Sequence, residues 1–377
     1  MTVLIVTDAW HPQVNGVVRA LEKTIEQLRA SGTHVELVSP DQYRTIPCPT
    51  YPEIRLAMVR YATIAARLDA LGDRVTHVHI ATEGPLGQKV RRYCRRKGLA
   101  FTTSFHTRFP DYVAMRSWCP ADWVWPLVAR FHAAGARTMV ATDRLGNELR
   151  TRGVKRLHRW PLGVDTDLFT PDRAPHPLLA DLPRPIRLYV GRVAIEKNVE
   201  ALLTLPQRGS TVIVGGGPDL DQLRARYPHA LFLGPRFGEE LASLYVGADV
   251  FVFPSRTDTF GLVMVEALAC GTPVAAFPVQ GPLDIVGAKG RGMHGSRRPV
   301  GALGDRLGAA IQHALKANRA DCVAEARHYG WDRCTQAFRA GLVPLRGGTV
   351  EALAEHRTPI DFPAVPERLA ARTAASF

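Results

Sequence analysis

The chain has 377 residues, 46% hydrophobic and 22% charged, which suits a soluble globular protein and is too long for one ordinary domain. No apolar run approaches the roughly 18–20 residues of a spanning helix, and the six scattered cysteines (Cys48, Cys94, Cys119, Cys270, Cys322, Cys334) argue against a disulfide frame or a zinc site. The formal charge of +13 is lopsided, with 24 Lys/Arg against 14 Asp/Glu in residues 1–165, which suits an anionic partner such as nucleic acid or an acidic membrane surface.

The N-terminus, MTVLIVTD, lacks a basic signal-peptide region and enters a strand pattern directly, and the scattered cysteines read as reduced thiols of a cytoplasmic protein. A helix follows, with Val14, Val17, Val18, Leu21, Ile25 and Leu28 on one face and Arg19, Glu22, Lys23 and Glu26 on the other. Apolar strands are then expected at 34–40, 77–80, 100–105 and 138–142. After a Pro- and Arg-rich connection near 171–185 the alternation restarts at 186–192, 211–216, 230–234, 250–255 and 273–277. Continuous apolar strands between helices read as parallel sheets covered on both faces, and two such series read as two doubly wound α/β domains. A helix over 260–269 stops at Gly271, and a late helical stretch over about 321–341 carries Tyr329, Trp331 and Phe338. Residues 346–377, rich in Pro and Gly, read as an appended tail.

Two segments carry chemistry. In SRTDTFGLVMVEALACG (255–271), Asp258 lies in the loop after a strand and Phe260–Gly261 open a helix whose N-terminus offers amides to an anion. Glu266 follows eight residues after Asp258 and suits vicinal hydroxyls; alternatively, Asp258 is an N-cap and Glu266 a solvated helix residue. In VGRVAIEKN (190–198), Arg192 and Lys197 follow a strand end, where they suit a diphosphate or stand as two surface cations.

GRVAIEKN and DTFGLVMVE together resemble the donor site of family 4 glycosyltransferases, which include bacterial lipid glycosyltransferases and GDP-mannose-dependent α-mannosyltransferases. The resemblance covers roughly residues 1–345 and takes in DAWHPQVNGVVRAL, TSFHTRFPDY and WPLGVDTDLF. It implies the GT-B architecture, two Rossmann-like domains facing across a cleft. The expected divisions are an acceptor domain over 1–168, a nucleotide-sugar domain over 169–330, and residues 331–345 crossing back to the first. The donor would be UDP-glucose, UDP-glucuronate or GDP-mannose. By the same resemblance, Gly16 ends the loop that lets amides approach the phosphates, His106 lies against the transferred sugar, and Arg192 and Lys197 neutralise the diphosphate. Asp258 contacts hydroxyls of the sugar, Phe260 and Gly261 at the helix start belong to the donor-binding set, and Glu266 holds the ribose. The family usually has Glu at the position of Asp258, which bears on sugar preference. The implied chemistry is retaining and metal-independent, with no cofactor. The leaving phosphate helps to deprotonate the acceptor, and each preorganised donor contributes about 3–4 kcal/mol by analogy with oxyanion holes.

Asp165-Thr166-Asp167 and Asp219-Leu220-Asp221 match a three-residue metal pattern expected by chance, and His77 and His79 have no third ligand, so no metal is expected. GGGPD (215–219) does not follow the first strand, where a dinucleotide fingerprint belongs.

The acceptor side rests on surface chemistry. In the expected helix over 85–97, Lys89, Arg91, Arg92, Arg95 and Arg96 share an arc, which is either a solvated face or a dock for anionic lipid. Trp118, Trp123 and Trp125 enrich the next segment in the residue favoured at membrane interfaces, though buried packing explains them too. The expected acceptor is a membrane lipid such as diacylglycerol or a phosphoinositide-like lipid, with the enzyme peripheral at the inner face of the cell membrane. No nucleic-acid module is recognisable. The rival readings are a nucleotide-sugar epimerase or phosphorylase of the same fold, a polysaccharide or small soluble acceptor, and a non-catalytic binder.

Overall fold

The computed structural model describes residues 1–13, 15–48 and 51–346, so Val14 and residues 347–377 of the expected tail lie outside the described residues. Two six-stranded parallel sheets form the framework. The first is built from β1 (Thr2–Val6), β2 (His34–Val38), β5 (His77–Ile80), β6 (Thr102–Phe105), β7 (Arg137–Val140) and β8 (Leu157–Arg159), in the order β2-β1-β5-β6-β7-β8. Between them β3 (Thr45–Cys48) and β4 (Tyr51–Ala57) form a separate antiparallel pair. The second sheet takes β9 (Ile186–Val190), β10 (Ser210–Val214), β11 (Leu231–Gly234), β12 (Val250–Phe253), β13 (Val274–Ala276) and β14 (Gly301–Leu303), in the order β11-β10-β9-β12-β13-β14. That order reverses beside β9, so a crevice opens past the carboxyl ends of β9 and β12, where ligands of open α/β sheets bind.

The strands form because their residues are buried on both faces. Val3 to Val6, Ile186 to Val190 and Val250 to Phe253 are all buried, as parallel strands under helices require. All ten strands expected from the apolar runs are present. β3, β4, β8 and β14 are additional. They are short or polar (LHR in β8), so no apolar run announces them.

The late stretch is two helices rather than one, Arg319–Ala326 and Trp331–Gly341, separated at a short turn and Gly330. The second packs on the first domain: His158 Nε2 bonds Ala337 O at 2.8 Å, and Arg137 donates to Ala340 O at 2.9 Å. Beyond it, Ala100 N donates to Leu345 O and Leu345 N to Thr76 O. Phe338, fully buried, fills the space beside Trp160 and His79. Burying such a ring is worth about 1.5–3 kcal/mol.

Candidate active site

At the carboxyl end of β9 the chain passes through Gly191, Arg192 and a single 3-10 turn, Ile195–Lys197. Asn198 closes the turn at φ 53°, a left-handed conformation its short side chain tolerates, and its amide donates to Pro254 O at 3.1 Å. The loop is held from behind by glycines: a Cβ on Gly215 would lie 1.8 Å from Gly191 O, and one on Gly217 2.2 Å from Val193 O. The tempting GGGPD run is therefore a packing device that lets two loops touch.

Lys197 Nζ lies 2.5 Å from Asp258 Oδ1, and the other Asp258 oxygen is buried without a hydrogen bond. Burial works against the Lys197 ammonium, but the Asp258 carboxylate outweighs it and holds the pKa well above that of an ordinary lysine. Arg192 Nη1 lies 3.4 Å from Glu196 Oε1. Ser255 and Thr257 hydroxyls donate to Glu196 O at 3.3 and 3.4 Å, stitching the two loops together. From the first domain, Tyr112 bonds Thr257 beside Lys197 and Asp258, its phenol pushed up to about 12, chiefly by burial.

Gly261 starts the helix Leu262–Ala269 at φ 92°, where a Cβ would meet Met264 Cε at 2.6 Å. Glu266 in that helix is buried rather than solvated: it accepts from Tyr245 Oη at 3.0 Å and from Arg19 Nη1 at 3.2 Å. Burial raises its pKa against the pull of Arg19. Arg19 was expected on the outer face of the first helix, Gly16–Ala30. It reaches the second domain instead, because that face looks across the cleft. Gly16 sits at the helix start, capped by Asn15 Oδ1, which accepts from the Val17 and Val18 amides at 3.0 Å. A Cβ on Gly16 would lie 3.8 Å from Leu262 Cδ1, so the two helix N-termini face one another.

His106 follows β6. Thr259 Oγ1 donates to its carbonyl at 2.7 Å, which ties it to the Asp258 loop. Its ring lies 5.3 Å from Trp160, and burial lowers its pKa to about 4, so it is a neutral imidazole. His106, Arg192, Lys197, Asp258, Gly261, Glu266 and Gly16 thus gather along one crevice. The Phe260 side chain lies in the core beside Tyr329, which leaves its backbone, at the helix start, to border the site. Missing from the sequence-based set are Tyr112, Arg19, Tyr245 and Thr259. Tyr112, Arg19 and Thr259 stand within TSFHTRFPDY, DAWHPQVNGVVRAL and DTFGLVMVE, which was the signal available, but their partners lie far away in the chain; Tyr245 lies outside every such block.

Of the metal-pattern acids, Asp165 is otherwise engaged. Asp165 Oδ1 accepts from the Asp167 and Leu168 amides, and Oδ2 lies 3.3 Å from Lys23 Nζ. Among the described residues no His, Cys, Asp and Glu cluster suits a metal ion.

The basic helix Pro85–Lys97 is less free than its charge suggests. Arg91 donates to Phe131 O and Arg130 O at 3.2 and 3.0 Å, Arg92 and Arg96 lie over the Tyr61 ring, and Lys89 donates to Pro85 O. Arg92, Arg95 and Arg96 are exposed. Trp118 and Trp123 are 88% and 66% exposed, and Leu127 is exposed beside them in sequence. Trp125 is a correction. It is 3% exposed, stacked on Phe105 and covered by Arg152 at 3.9 Å, so it contributes to the core and not to a surface. Among the described residues no helix is long and apolar enough to cross a membrane.

Chemically, the crevice offers two cations and a helix N-terminus to a diphosphate, a buried carboxylate to paired hydroxyls, and a neutral imidazole to a sugar. Family models described as "Glycosyltransferase Family 4" and "Glycosyl transferases group 1" match residues 14–168 and 172–329. A GDP-mannose-dependent α-mannosyltransferase of Mycobacterium tuberculosis is 30% identical over 86% of this chain and 91% of its own length. Its counterpart from Mycolicibacterium smegmatis is 32% identical over 88% and 91%. A solved sucrose-phosphate synthase of Thermosynechococcus elongatus superposes with a TM-score of 0.67 at 21% identity, covering 90% of this chain and 97% of that one.

Proposed function

Because this chain belongs to the family 4 glycosyltransferases, nucleotide-sugar hexosyltransferases of GT-B fold, we propose that it transfers mannose from GDP-mannose to a hydroxyl of a membrane lipid with retention of the α-configuration. The observation that carries the reading is the Lys197–Asp258 pair beside Arg192 at the carboxyl edge of β9 and β12. As the sugar–phosphate bond breaks, negative charge grows on the leaving diphosphate. Arg192, Lys197 and the amides at Gly261 are preorganised where that charge develops. Asp258 has an unengaged oxygen for a sugar hydroxyl, and Glu266 receives the ribose. His106 accepts a hydrogen bond from the sugar. These groups supply positive charge without a metal ion. The names of the two mycobacterial relatives favour mannose over the UDP sugars. Support for a lipid acceptor comes from the exposed Trp118, Trp123 and Leu127 and the exposed guanidinium groups of Arg92, Arg95 and Arg96, all in the first domain. The lipid class expected is diacylglycerol or a phosphoinositide-like lipid, met at the inner face of the membrane.

The test is a screen of GDP-mannose, UDP-glucose and UDP-glucuronate against a membrane-lipid extract, read by mass spectrometry and by the anomeric NMR signal. An α-mannosyl lipid formed only from GDP-mannose is the expected product. A β-linked product rejects retention, turnover with soluble acceptors alone rejects the lipid, and isomerised donor without any acceptor points to an epimerase.

A further inference from the structure

Behind His106 a line of hydrogen bonds runs into the first sheet. Ser104, two residues back on β6, holds its Oγ 2.8 Å from His106 Nε2. The same oxygen lies 3.2 Å from His79 Nε2 on β5 and 3.3 Å from Ala81 O. His79 Nδ1 is 3.0 Å from Thr102 Oγ1, and the Thr102 hydroxyl donates to Val78 O at 3.2 Å. Ser104, His79 and Thr102 are fully buried, and Phe338 and Trp160 press their edges or faces on His79 at 4.9 and 6.1 Å.

The protons along this line are determined by its ends. A neutral imidazole carries one donor and one acceptor, and burial keeps both rings neutral, with pKa values near 3 for His79 and 4 for His106. Val78 O can only accept, so the Thr102 hydroxyl gives its proton there, and its oxygen accepts from His79 Nδ1–H. His79 Nε2 is then bare, and Ala81 O is likewise an acceptor. Ser104 has one proton: given to Ala81 O or to His79 Nε2 it satisfies one of these two acceptors, whereas given to His106 it would leave both without a donor, so it stays on that side. Its lone pair is what remains for His106, which must donate through Nε2–H. We infer that Ser104, backed by His79 and Thr102, is a positioning residue that holds His106 in the Nε2–H tautomer and keeps Nδ1 as an unprotonated acceptor for a substrate hydroxyl. This rests on the reading of His106 as an active-site residue. The ring transfers no proton; it presents a fixed lone pair.

Histidine-labelled ¹⁵N protein tests it near neutral pH. His106 is assigned by the signals lost in His106→Gln, and should show a pyrrole-type Nε2 and a pyridine-type Nδ1. A proton on Nδ1 in the intact protein overturns the inference, whatever any variant does. Ser104→Ala should mix the tautomers and lower kcat about tenfold, the equivalent of one ordinary hydrogen bond, with KM for the donor within about twofold. Ser104→Thr, which keeps the hydroxyl, should restore both. A folded Ser104→Ala with unchanged kcat and a single tautomer also overturns it. Should that variant not fold, the parent spectrum still decides. Normal turnover in His106→Gln removes the active-site reading itself, a failure distinct from the wrong tautomer.

Discussion

The edge of the second sheet opposes charge with charge: Lys197 against Asp258, Arg192 against Glu196, Glu266 against Arg19. At His106 the facing edge of the first sheet is kept neutral instead. His106 and His79 are uncharged rings joined through Ser104. The contrast follows the substrate each edge is proposed to meet. A diphosphate gains charge during reaction and needs fixed ions, whereas a hydroxyl needs only aligned dipoles, for which a full charge in a dry cleft is a liability.

The strongest attack on this contrast is Lys197→Ala, or Arg192→Ala. Either should remove at least about 2 kcal/mol of transition-state stabilisation, roughly a thirtyfold fall in kcat/KM. Near-normal turnover in both would show that the charged edge does no chemistry. On the first domain, Trp118→Ser with Trp123→Ser should weaken binding to vesicles containing anionic lipid by about 2 kcal/mol, the order expected for withdrawing exposed aromatic surface from an interface. Donor hydrolysis should be unchanged, and parent-like vesicle binding would leave the exposed rings without that role.

Arg19→Ala touches both edges, because it removes the only first-domain cation bonded to Glu266 among the described residues. A partly exposed pair of this kind is worth up to about 1 kcal/mol, so the donor KM should rise no more than about fivefold. A much larger loss in kcat would move Arg19 from closure into the chemistry.

Two further measurements should show no change. With the His106 pKa lowered to about 4 by burial, kcat/KM should cross pH 6.5 without an imidazole limb. In stability the sign runs one way for the histidines: the unfolded chain binds more protons than the fold between about 4 and 6.5, so acidification through that window costs stability. Asp8 and Asp284, raised to about 6 by burial, act oppositely, since the fold holds their protons longer than the unfolded chain does. An activity limb centred near 6.5 would break the neutral-edge description. Exhaustive chelation should likewise leave the rate intact. Loss with EDTA and rescue by Mg²⁺ would bring Asp165 and Asp167 back as ligands.

What was legible in the sequence divides along the same line. Arg192, Lys197, Asp258 and Glu266 stand in two short segments whose strand-then-cation and strand-then-helix order already implies an anion at a sheet edge. The strands were legible because burial on both faces writes itself as an unbroken apolar run. Tyr112, Arg19 and Thr259 were not, since each acquires its partner only when two domains meet. Arg19 even carries the local pattern of a solvated helix face. Trp125 misled for the opposite reason, as composition alone cannot separate a buried tryptophan from its exposed neighbours Trp118 and Trp123. The tautomer line was hidden because Ser104, Thr102 and His79 look like ordinary strand residues until two strands are set side by side.

The returning helix Trp331–Gly341 has a consequence for synthesis. Translation proceeds from the N-terminus, so the ribosome delivers the first sheet complete while Phe338, which closes it beneath His79 and Trp160, is still more than 150 residues away. Until then the nascent first half has an open apolar floor, short of a ring whose loss from a finished core costs about 3–5 kcal/mol. The second domain must be synthesised and the chain beyond it released before the first can lock. The half carrying the histidine line therefore begins first and finishes last, and a fragment ending near residue 168 should remain loosely packed and bind chaperones where the full chain does not.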